Sequence, residues 1–101
     1  MHRFSRRLPP ADRFRLGDQL IKSAASIPAN IAEGYGRRRR AEYIRFLDIA
    51  NGSLCELETH FEICIEFGLA AREELANILL ACGGIGQMLT RLRRRLSEGR
   101  A

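Results

Sequence analysis

Apolar residues recur every three or four positions along nearly the whole chain, in three stretches separated by short glycine-containing segments. The middle stretch shows the pattern best, with apolar residues at Tyr43, Leu47, Ala50, Leu54, Leu57, Phe61 and Cys64. That spacing places the side chains on one face of an α-helix, whereas no segment shows the period of two that is typical of a strand. The sequence therefore predicts an all-α fold.

Proline and glycine set the predicted bounds of the helices. Pro9-Pro10 closes a basic arm at residues 1–11, and the Gly-Tyr-Gly segment at 34–36 ends the first helix, because glycine tolerates the left-handed conformation of a helix end. Gly68 ends the second helix in the same way. The predicted helices span about residues 12–34, 38–67 and 71–97. Two short connections between three long helices predict an antiparallel up-down bundle in a single domain, residues 1–101.

The first and third helices carry apolar stripes of their own. In the first helix the stripe is Leu16, Leu20, Ala24, Ile27 and Ile31. In the third it is a heptad seam of Leu75, Ile78, Cys82, Ile85, Leu89, Leu92 and Leu96. A second apolar flank consists of Ile21, Ala25, Phe46 and Ile49. Three helices bury a smaller core than four, so we expect another subunit or a partner protein to cover this flank.

Glycines of the second and third helices fall at matching heights when the two helices are aligned antiparallel. Gly52 lies level with Gly86, and Gly83 and Gly84 lie one turn away. Small residues at such positions allow two helix backbones to approach closely. The Gly52-Ser53 pair could instead serve a ligand, but close packing is the interpretation that we favour.

The net charge of +5 is distributed in blocks. Residues 1–15, 37–45 and 91–101 each hold five arginines and one acid, while residues 46–66 hold five acids and no base. All basic residues except Lys22 are arginine, whose planar guanidinium binds phosphate and carboxylate in a bidentate manner. A GC-rich genome would also favour arginine codons, so composition alone leaves both explanations open.

Two arginine clusters are predicted to meet at one end of the bundle. They are Arg37, Arg38, Arg39 and Arg40 before the second helix, and Arg91, Arg93, Arg94 and Arg95 in the third. Cations are unfavourable at the positive N-terminus of a helix, and a bound anion would remove that conflict. The clusters predict a surface that holds the phosphates of RNA or DNA without reading sequence, since only Tyr35 and Tyr43 lie nearby for stacking. The alternative is a solvated charge run that keeps the protein soluble.

Acidic and polar residues of the central stretches do not form a catalytic constellation. Asn30, Glu33, Glu56 and Glu58 lack a nearby nucleophile or metal-ligating histidine, so we predict no enzyme, no cofactor and no metal site. Glu33 is expected to accept hydrogen bonds or to bind an arginine at the turn. An acidic stripe on the second helix suits arginines of a neighbouring subunit. Its members are Glu56, Glu58, Glu62 and Glu66.

Cysteine usage and targeting signals bear on the compartment. The three cysteines show no CxxC spacing, which predicts small core residues and neither a disulfide framework nor a zinc site. The chain has no apolar run of about 20 residues and no secretory signal at its start. We therefore expect a cytoplasmic protein without a membrane partner.

Two motifs carry a family resemblance: SIPANIAEG at residues 26–34 and FLDIANGSLCELE at residues 46–58. With them in place, the chain resembles the four helix bundle protein family, first noticed as proteins encoded by intervening sequences in bacterial 23S ribosomal RNA genes. The resemblance covers Leu8 to about Leu96. Family residues within the motifs are Asn30, Glu33, Gly34, Gly52, Ser53, Glu56 and Glu58.

The resemblance implies an antiparallel helical bundle that assembles into a ring-like homopentamer and has no known enzymatic activity. The accessory variability protein of diversity-generating retroelements is similar in fold and in its basic surface, associates with a reverse transcriptase and binds nucleic acid. We therefore expect a homo-oligomer that binds nucleic acid, with a reverse transcriptase as a further partner. The alternative is a structural scaffold that only organises protein subunits.

One departure from the family pattern concerns the first helix. Family members usually carry an amphipathic helix before the segment that matches LPPADRFRLGDQ, whereas Met1 to Leu8 precede it here. We expect either a start further upstream or a three-helix variant that depends on its partners.

Overall fold

The computed structural model describes residues 9–99, which form three helices: α1 (Pro10–Gly36), α2 (Arg40–Glu66) and α3 (Arg72–Ser97). No strand occurs within residues 9–99, which confirms the all-α prediction. The basic arm was predicted at residues 1–11, and its residues 1–8 lie outside the described residues. α1 begins at Pro10, earlier than predicted, because proline fits the first turn of a helix, where its missing N–H is not needed.

The connection between α1 and α2 differs from the prediction in its left-handed residue. Gly34 and Gly36 are helical, and Arg38 instead takes a φ of 61°. The Arg37 N–H donates to the Gly34 carbonyl (3.2 Å) at the end of α1. Because Arg38 is left-handed, α2 cannot include it and begins at Arg40.

The connection between α2 and α3 follows the predicted glycine. Gly68 has a φ of 72°, and the Leu69 N–H donates to the Cys64 carbonyl (2.9 Å), which closes the end of α2. At the start of α3, the Glu74 carboxylate accepts a hydrogen bond of 2.7 Å from the Ala71 N–H. Glu74 also lies at the positive end of the helix dipole, so this acid stabilises the start of α3 both through its hydrogen bond and through its charge.

The three helices form an open layer with α2 in the middle. α1 and α3 both pack on α2, whereas their own backbones scarcely approach each other. The Cα atoms extend over 52 × 24 × 13 Å, so this part of the molecule is flat. The core therefore lies along α2. It consists of Ile27, Leu47, Ala50, Leu54, Leu57, Cys82, Leu89 and Leu96.

Burial follows the number of neighbours that each helix has. The predicted stripe of α2 is buried or half-buried along its whole length, because a helix lies on each side of it. α1 and α3 have one neighbour each, and their stripes are only partly buried. In α1, Ser23 is buried, and Ala24 of the predicted stripe is exposed. In α3, the predicted seam is wrong at Ile78 and Ile85, which are exposed.

The second apolar flank is found in part. Ile21, Ala25 and Ile49 are exposed, as expected for side chains without a covering helix. Phe46 does not belong to the flank, since it is buried. Its Cβ lies against Gly34 of α1, where the missing side chain leaves room for this close approach.

α3 is an apolar helix, and most of its residues are exposed. By length and composition alone it is apolar enough to cross a membrane, and only 11% of its most apolar 18-residue stretch is buried. α3 holds no uninterrupted run of about 20 apolar residues, but the small and uncharged polar residues between its apolar ones add little charge, so an 18-residue stretch passes the test. The helix exposes Leu80 (77%) and Met88 (62%). A soluble core helix can pass the same composition test, but most of its surface would be buried.

Candidate nucleic-acid interface

The end of α1 lies unusually close to the start of α2. A Cβ atom at Gly34 would lie 2.7 Å from the Phe46 Cβ and 3.1 Å from the Tyr43 Cδ1. The first distance is shorter than real Cβ contacts allow and the second is tight, so glycine at position 34 is what permits this approach. Gly34 of the first motif therefore fixes how near the arginine-rich turn lies to α2.

Two guanidinium groups cover the buried ring of Phe46. Arg37 and Arg45 lie 5.3 and 4.5 Å from its centroid. The Arg37 Nε donates to Glu33 (2.9 Å), which is the arginine contact expected for that acid. The Arg45 Nε donates to Glu42 (3.1 Å), and this hydrogen bond lowers the pKa of the Glu42 carboxyl. Arg37 is thus engaged within its own chain.

A polar link also joins the two motifs. The hydroxyl oxygens of Ser26 and Ser53 lie 2.8 Å apart, within hydrogen-bond distance. The Asn30 side-chain amide donates to the Ser26 hydroxyl (2.9 Å) and to the Ser26 carbonyl (2.8 Å). Asn30 therefore holds Ser26 in place for its contact with α2.

The predicted close approach of Gly52 to Gly86 is wrong. A Cβ at Gly52, Gly83 or Gly84 would meet no packed neighbour within 4 Å, so these glycines face open space. At Gly86 the added atom would lie 3.3 Å from the Leu54 Cδ2, a side-chain contact with α2. Small residues on α3 leave an open cleft of about 470 Å³ beside α2 and do not bring the two backbones together.

The turn between α1 and α2 forms a larger open cleft of about 680 Å³ with the end of α3. We call it the arginine cleft, and three arginines, two tyrosines and two leucines line it. They are Arg38, Arg39, Arg40, Tyr35, Tyr43, Leu92 and Leu96. The two tyrosine rings lie 6.0 Å apart at an interplanar angle of 75°, an edge-to-face contact. The arginine cleft thus presents cations beside aromatic and apolar surface.

The arginines of this cleft lack a neutralising partner in the part of the chain that the structure describes. Ion pairs hold Arg37 and Arg93, but none within residues 9–99 holds Arg38, Arg39 or Arg40. No side chain caps the N-terminus of α2, so N–H groups of its first turn have no side-chain acceptor. The helix dipole and the guanidinium groups therefore favour an anion at the same place.

The second arginine cluster lies at the same end but is divided over several faces of α3. The Arg93 Nε donates to Asp48 (2.7 Å) and ties α3 to α2. Arg91 and Arg95 line an apolar groove of about 510 Å³ between α1 and α3. Arg94 is exposed. The eight predicted arginines share one end of the molecule without forming one patch.

The acidic stripe of α2 is only partly available to a neighbouring subunit. Glu62 forms an ion pair with Arg72 at the start of α3 (2.8 Å). Glu56 and Glu66 are exposed, and Glu58 is half-buried. Glu62 is thus engaged within the chain, and its suggested role toward another subunit would require this pair to break.

The cysteines are free thiols in different environments. Cys64 and Cys82 are buried, and burial raises the pKa of both thiols. Cys55 is exposed, so the prediction that it is a core residue is wrong. Within residues 9–99 no group of three histidine, cysteine or acidic residues is arranged to hold a metal ion.

Sequence reasoning missed the meeting of both tyrosines with Leu92 and Leu96. The signal was present, since Tyr43 lies in the first turn of α2 and Leu96 in the last turn of α3. Antiparallel neighbours bring such turns to one end of a bundle. The sequence analysis named both tyrosines beside the arginines, but it did not place the two leucines of α3 with them.

Comparison with known proteins agrees with the helical architecture. Residues 1–91 match the family described as 23S rRNA-intervening sequence protein. Searches of curated proteins and of solved structures find no match. Because the matched residues cover both motifs, the arginine-rich turn and most of the three helices, the chain belongs to the family of 23S rRNA-intervening sequence proteins.

Proposed function

We propose that this protein is a non-enzymatic homo-oligomer that holds RNA or DNA by its phosphates at the arginine cleft. The observation that carries the proposal is the convergence of Arg38, Arg39 and Arg40 on one open cleft. Arginine binds phosphate with paired hydrogen bonds, and phosphate contacts hold nucleic acid without reading its sequence. No carboxylate is among the described residues that line the cleft, and the nearby Glu42 is hydrogen-bonded by Arg45.

The backbone of the turn supports a binding role. Arg38 is left-handed, a conformation that costs a residue other than glycine roughly 1–2 kcal/mol. Local strain of this kind is typical of ligand sites. Glycine would relieve the strain, so an arginine at this position is explained by a use of its side chain.

A salt titration of nucleic-acid binding tests the proposal. Fluorescence anisotropy with a labelled oligonucleotide should show affinity that falls steeply with salt, because phosphate binding releases counterions. Replacing Arg38, Arg39 and Arg40 together by glutamine should lower the slope of log affinity against log salt by about three. The matched control removes the same charge from the N-terminal half of α1, at Arg13, Arg15 and Lys22. Absence of binding at low salt, or equal effects of the two triple variants, would reject the proposal.

Arg38→Gly separates binding from folding. Glycine takes the left-handed conformation without strain, so this variant should unfold at a higher temperature than the wild type. It should also bind nucleic acid more weakly, because one phosphate contact is lost. Weaker binding by a more stable protein could not be attributed to unfolding.

The homo-oligomeric part of the proposal is supported by the uncovered apolar surface. The groove between α1 and α3 exposes Ile85 and Met88, and the rest of α3 adds Leu80. Burying large apolar side chains stabilises by about 1.5–3 kcal/mol each, which favours association. We expect analytical ultracentrifugation to give five times the 11.4 kDa of one chain. A monodisperse monomer would reject this part.

The biological setting of the proposal can be read from gene context. An adjacent reverse transcriptase with a variable repeat would fit an accessory role in a diversity-generating retroelement, and copurification would test that partnership. A position inside a ribosomal RNA gene would fit the intervening-sequence type.

The alternative function is a scaffold that organises protein subunits only. The exposure of Leu80 and Met88 favours it as much as it favours an oligomer that binds nucleic acid. The two functions differ in the salt titration. A scaffold would form the oligomer and show no salt-dependent binding that depends on Arg38, Arg39 and Arg40.

A further inference from the structure

We propose that the arginine cleft takes an unstacked base, which makes single-stranded RNA or DNA the ligand class of this site. The inference rests on the proposed function and adds what the ligand must look like. Phosphate contacts alone would suit a duplex and a single strand equally. The aromatic and apolar part of the cleft distinguishes the two.

Tyr35 is the residue that points to a base. Its side chain is 73% exposed, although it is a large aromatic residue next to three cations. Tyr43 contacts it only edge to face, so the pair leaves aromatic surface open to solvent. Aromatic side chains beside a basic groove stack on bases that have left the helix, and the stacking tolerates any base.

Part of the cleft lining is apolar. Leu92, which is half-buried, and Leu96, which is buried, belong to it, and a duplex offers no apolar surface at its phosphate backbone that would match them. A base of a single strand has two apolar faces, one of which could stack on Tyr35 beside Leu92. The cleft volume of about 680 Å³ is in the range of pockets that enclose small organic ligands.

The roles within the site then divide by chemistry. Arg38, Arg39 and Arg40 hold the phosphates on either side of the inserted nucleotide, and Tyr35 stacks on its base. No described side chain is placed to read a base edge at this part of the lining, so we expect little sequence preference. The site would bind a strand, a loop or an unpaired end in preference to a regular duplex.

Binding to a single strand, to the same strand without bases and to a duplex tests the inference. Wild-type protein should bind the single strand about tenfold more tightly than an abasic strand of equal length. Tyr35→Leu should weaken binding to the single strand by about the same factor, should leave binding to the abasic strand and the duplex unchanged, and should keep the salt slope. Tyr35→Phe retains the ring and should bind like the wild type.

Phe14 provides the matched control. Its side chain is 79% exposed on the same helix, and it lies 21 residues from Tyr35, about 30 Å along α1. Phe14→Leu should leave all three affinities unchanged. Because the chain has two tyrosines and no tryptophan, and both tyrosines line the cleft, quenching of intrinsic fluorescence by the single strand would report on this site alone.

The possible failures are distinguishable. If wild type and Tyr35→Leu bind the single strand, the abasic strand and the duplex with equal affinity, the base-binding inference is wrong while phosphate binding stands. If Phe14→Leu weakens binding as much as Tyr35→Leu, the effect does not belong to the cleft and the inference is again wrong. If the wild type binds no nucleic acid at low salt, the proposed function fails and the inference fails with it.

Discussion

The seam between α1 and α2 and the surface of α3 differ in what covers their side chains. At the seam, Gly34 receives Phe46 and the Ser26 hydroxyl meets that of Ser53, so contacts within the chain account for both motifs. On α3, apolar residues such as Leu80 and Met88 face solvent. Contacts within the chain therefore cover the seam better than they cover the apolar side chains of α3.

This difference separates two kinds of sequence information. Gly34 is costly in a helix, and its contact with α2 offsets its low helix propensity, whereas Gly52 has no packed neighbour within 4 Å. Apolar periodicity indicates which side chains favour burial without naming the molecule that buries them. We therefore interpret α3 as an interaction surface and the α1–α2 seam as the internal support of the arginine cleft.

The largest expected effects come from truncating one leucine in the core along α2 and one leucine on the surface of α3. Leu47 is 1% exposed, so Leu47→Ala should lower the free energy of unfolding by about 2–5 kcal/mol at any protein concentration. Leu80→Ala should lower stability only where the proposed oligomer is populated, because its side chain is exposed in the single chain and only another copy would cover it. Urea denaturation at two protein concentrations, with sedimentation at each, measures both.

Two results would break this part of the comparison. If Leu80→Ala lowers the free energy of unfolding of a dilute monomer as much as Leu47→Ala does, α3 packs within its own chain. A protein that is monomeric in buffer but floats with lipid vesicles would mean that a membrane covers α3.

Glycine-to-alanine substitutions probe the two regions with one chemical change. At Gly34 the new Cβ would overlap that of Phe46, and forcing a core apart costs about 1–3 kcal/mol, so Gly34→Ala should destabilise the protein. At Gly52 the space is open, and Gly52→Ala should stabilise by about 0.5–1 kcal/mol through helix propensity. Thermal denaturation followed by circular dichroism gives both values. The two changes in stability must have opposite signs. The same sign for both variants would contradict the contacts assigned to Gly34 and Gly52.

The helices were predictable from sequence because their signal is local. The stripe of α2 was predicted throughout, since a helix with two neighbours buries every position of its stripe. Burial of Ser23 in place of Ala24 was not predictable, because it depends on how α1 rotates against α2. The contact of Gly34 with Phe46 depends on the relative height of two helices, and the turn residue Arg38 helps to set that height.

The site was predictable in its charge and not in its shape. A count of arginines located the correct end of the bundle. It could not show that Arg93 is tied to Asp48 or that Arg37 lies over Phe46, since both depend on contacts with α2. It also gave no weight to Tyr35, whose significance comes from the leucines of α3.

Removing the hydroxyl link of the seam should have a moderate effect. Ser53→Ala deletes the 2.8 Å contact with Ser26, and one net hydrogen bond contributes about 1 kcal/mol to stability. Ser26 still accepts the hydrogen bond from Asn30, and its side chain is half-buried. Ser97→Ala is the control, because its hydroxyl bonds locally to Arg94 at the exposed end of α3. A larger loss for Ser97→Ala would mean that the seam link is unimportant.

The smallest expected effect concerns the ion pair that joins α2 to α3. The hydrogen bond from Arg72 lowers the pKa of Glu62 below its ordinary value of 4.5. A carboxyl group with a lowered pKa stabilises the folded state above the unfolded pKa, and this contribution disappears as the pH falls through the folded pKa. Glu62→Gln should therefore lower the urea midpoint slightly near pH 6, and the difference should vanish well below pH 4.5. High salt should shrink it as well, because the pair is exposed. Glu56→Gln removes an exposed acid from the same helix and should show no such pH dependence. A difference for Glu62→Gln that persists in acid would mean that this residue joins the helices by packing, and that no part of the α2–α3 junction depends on its charge.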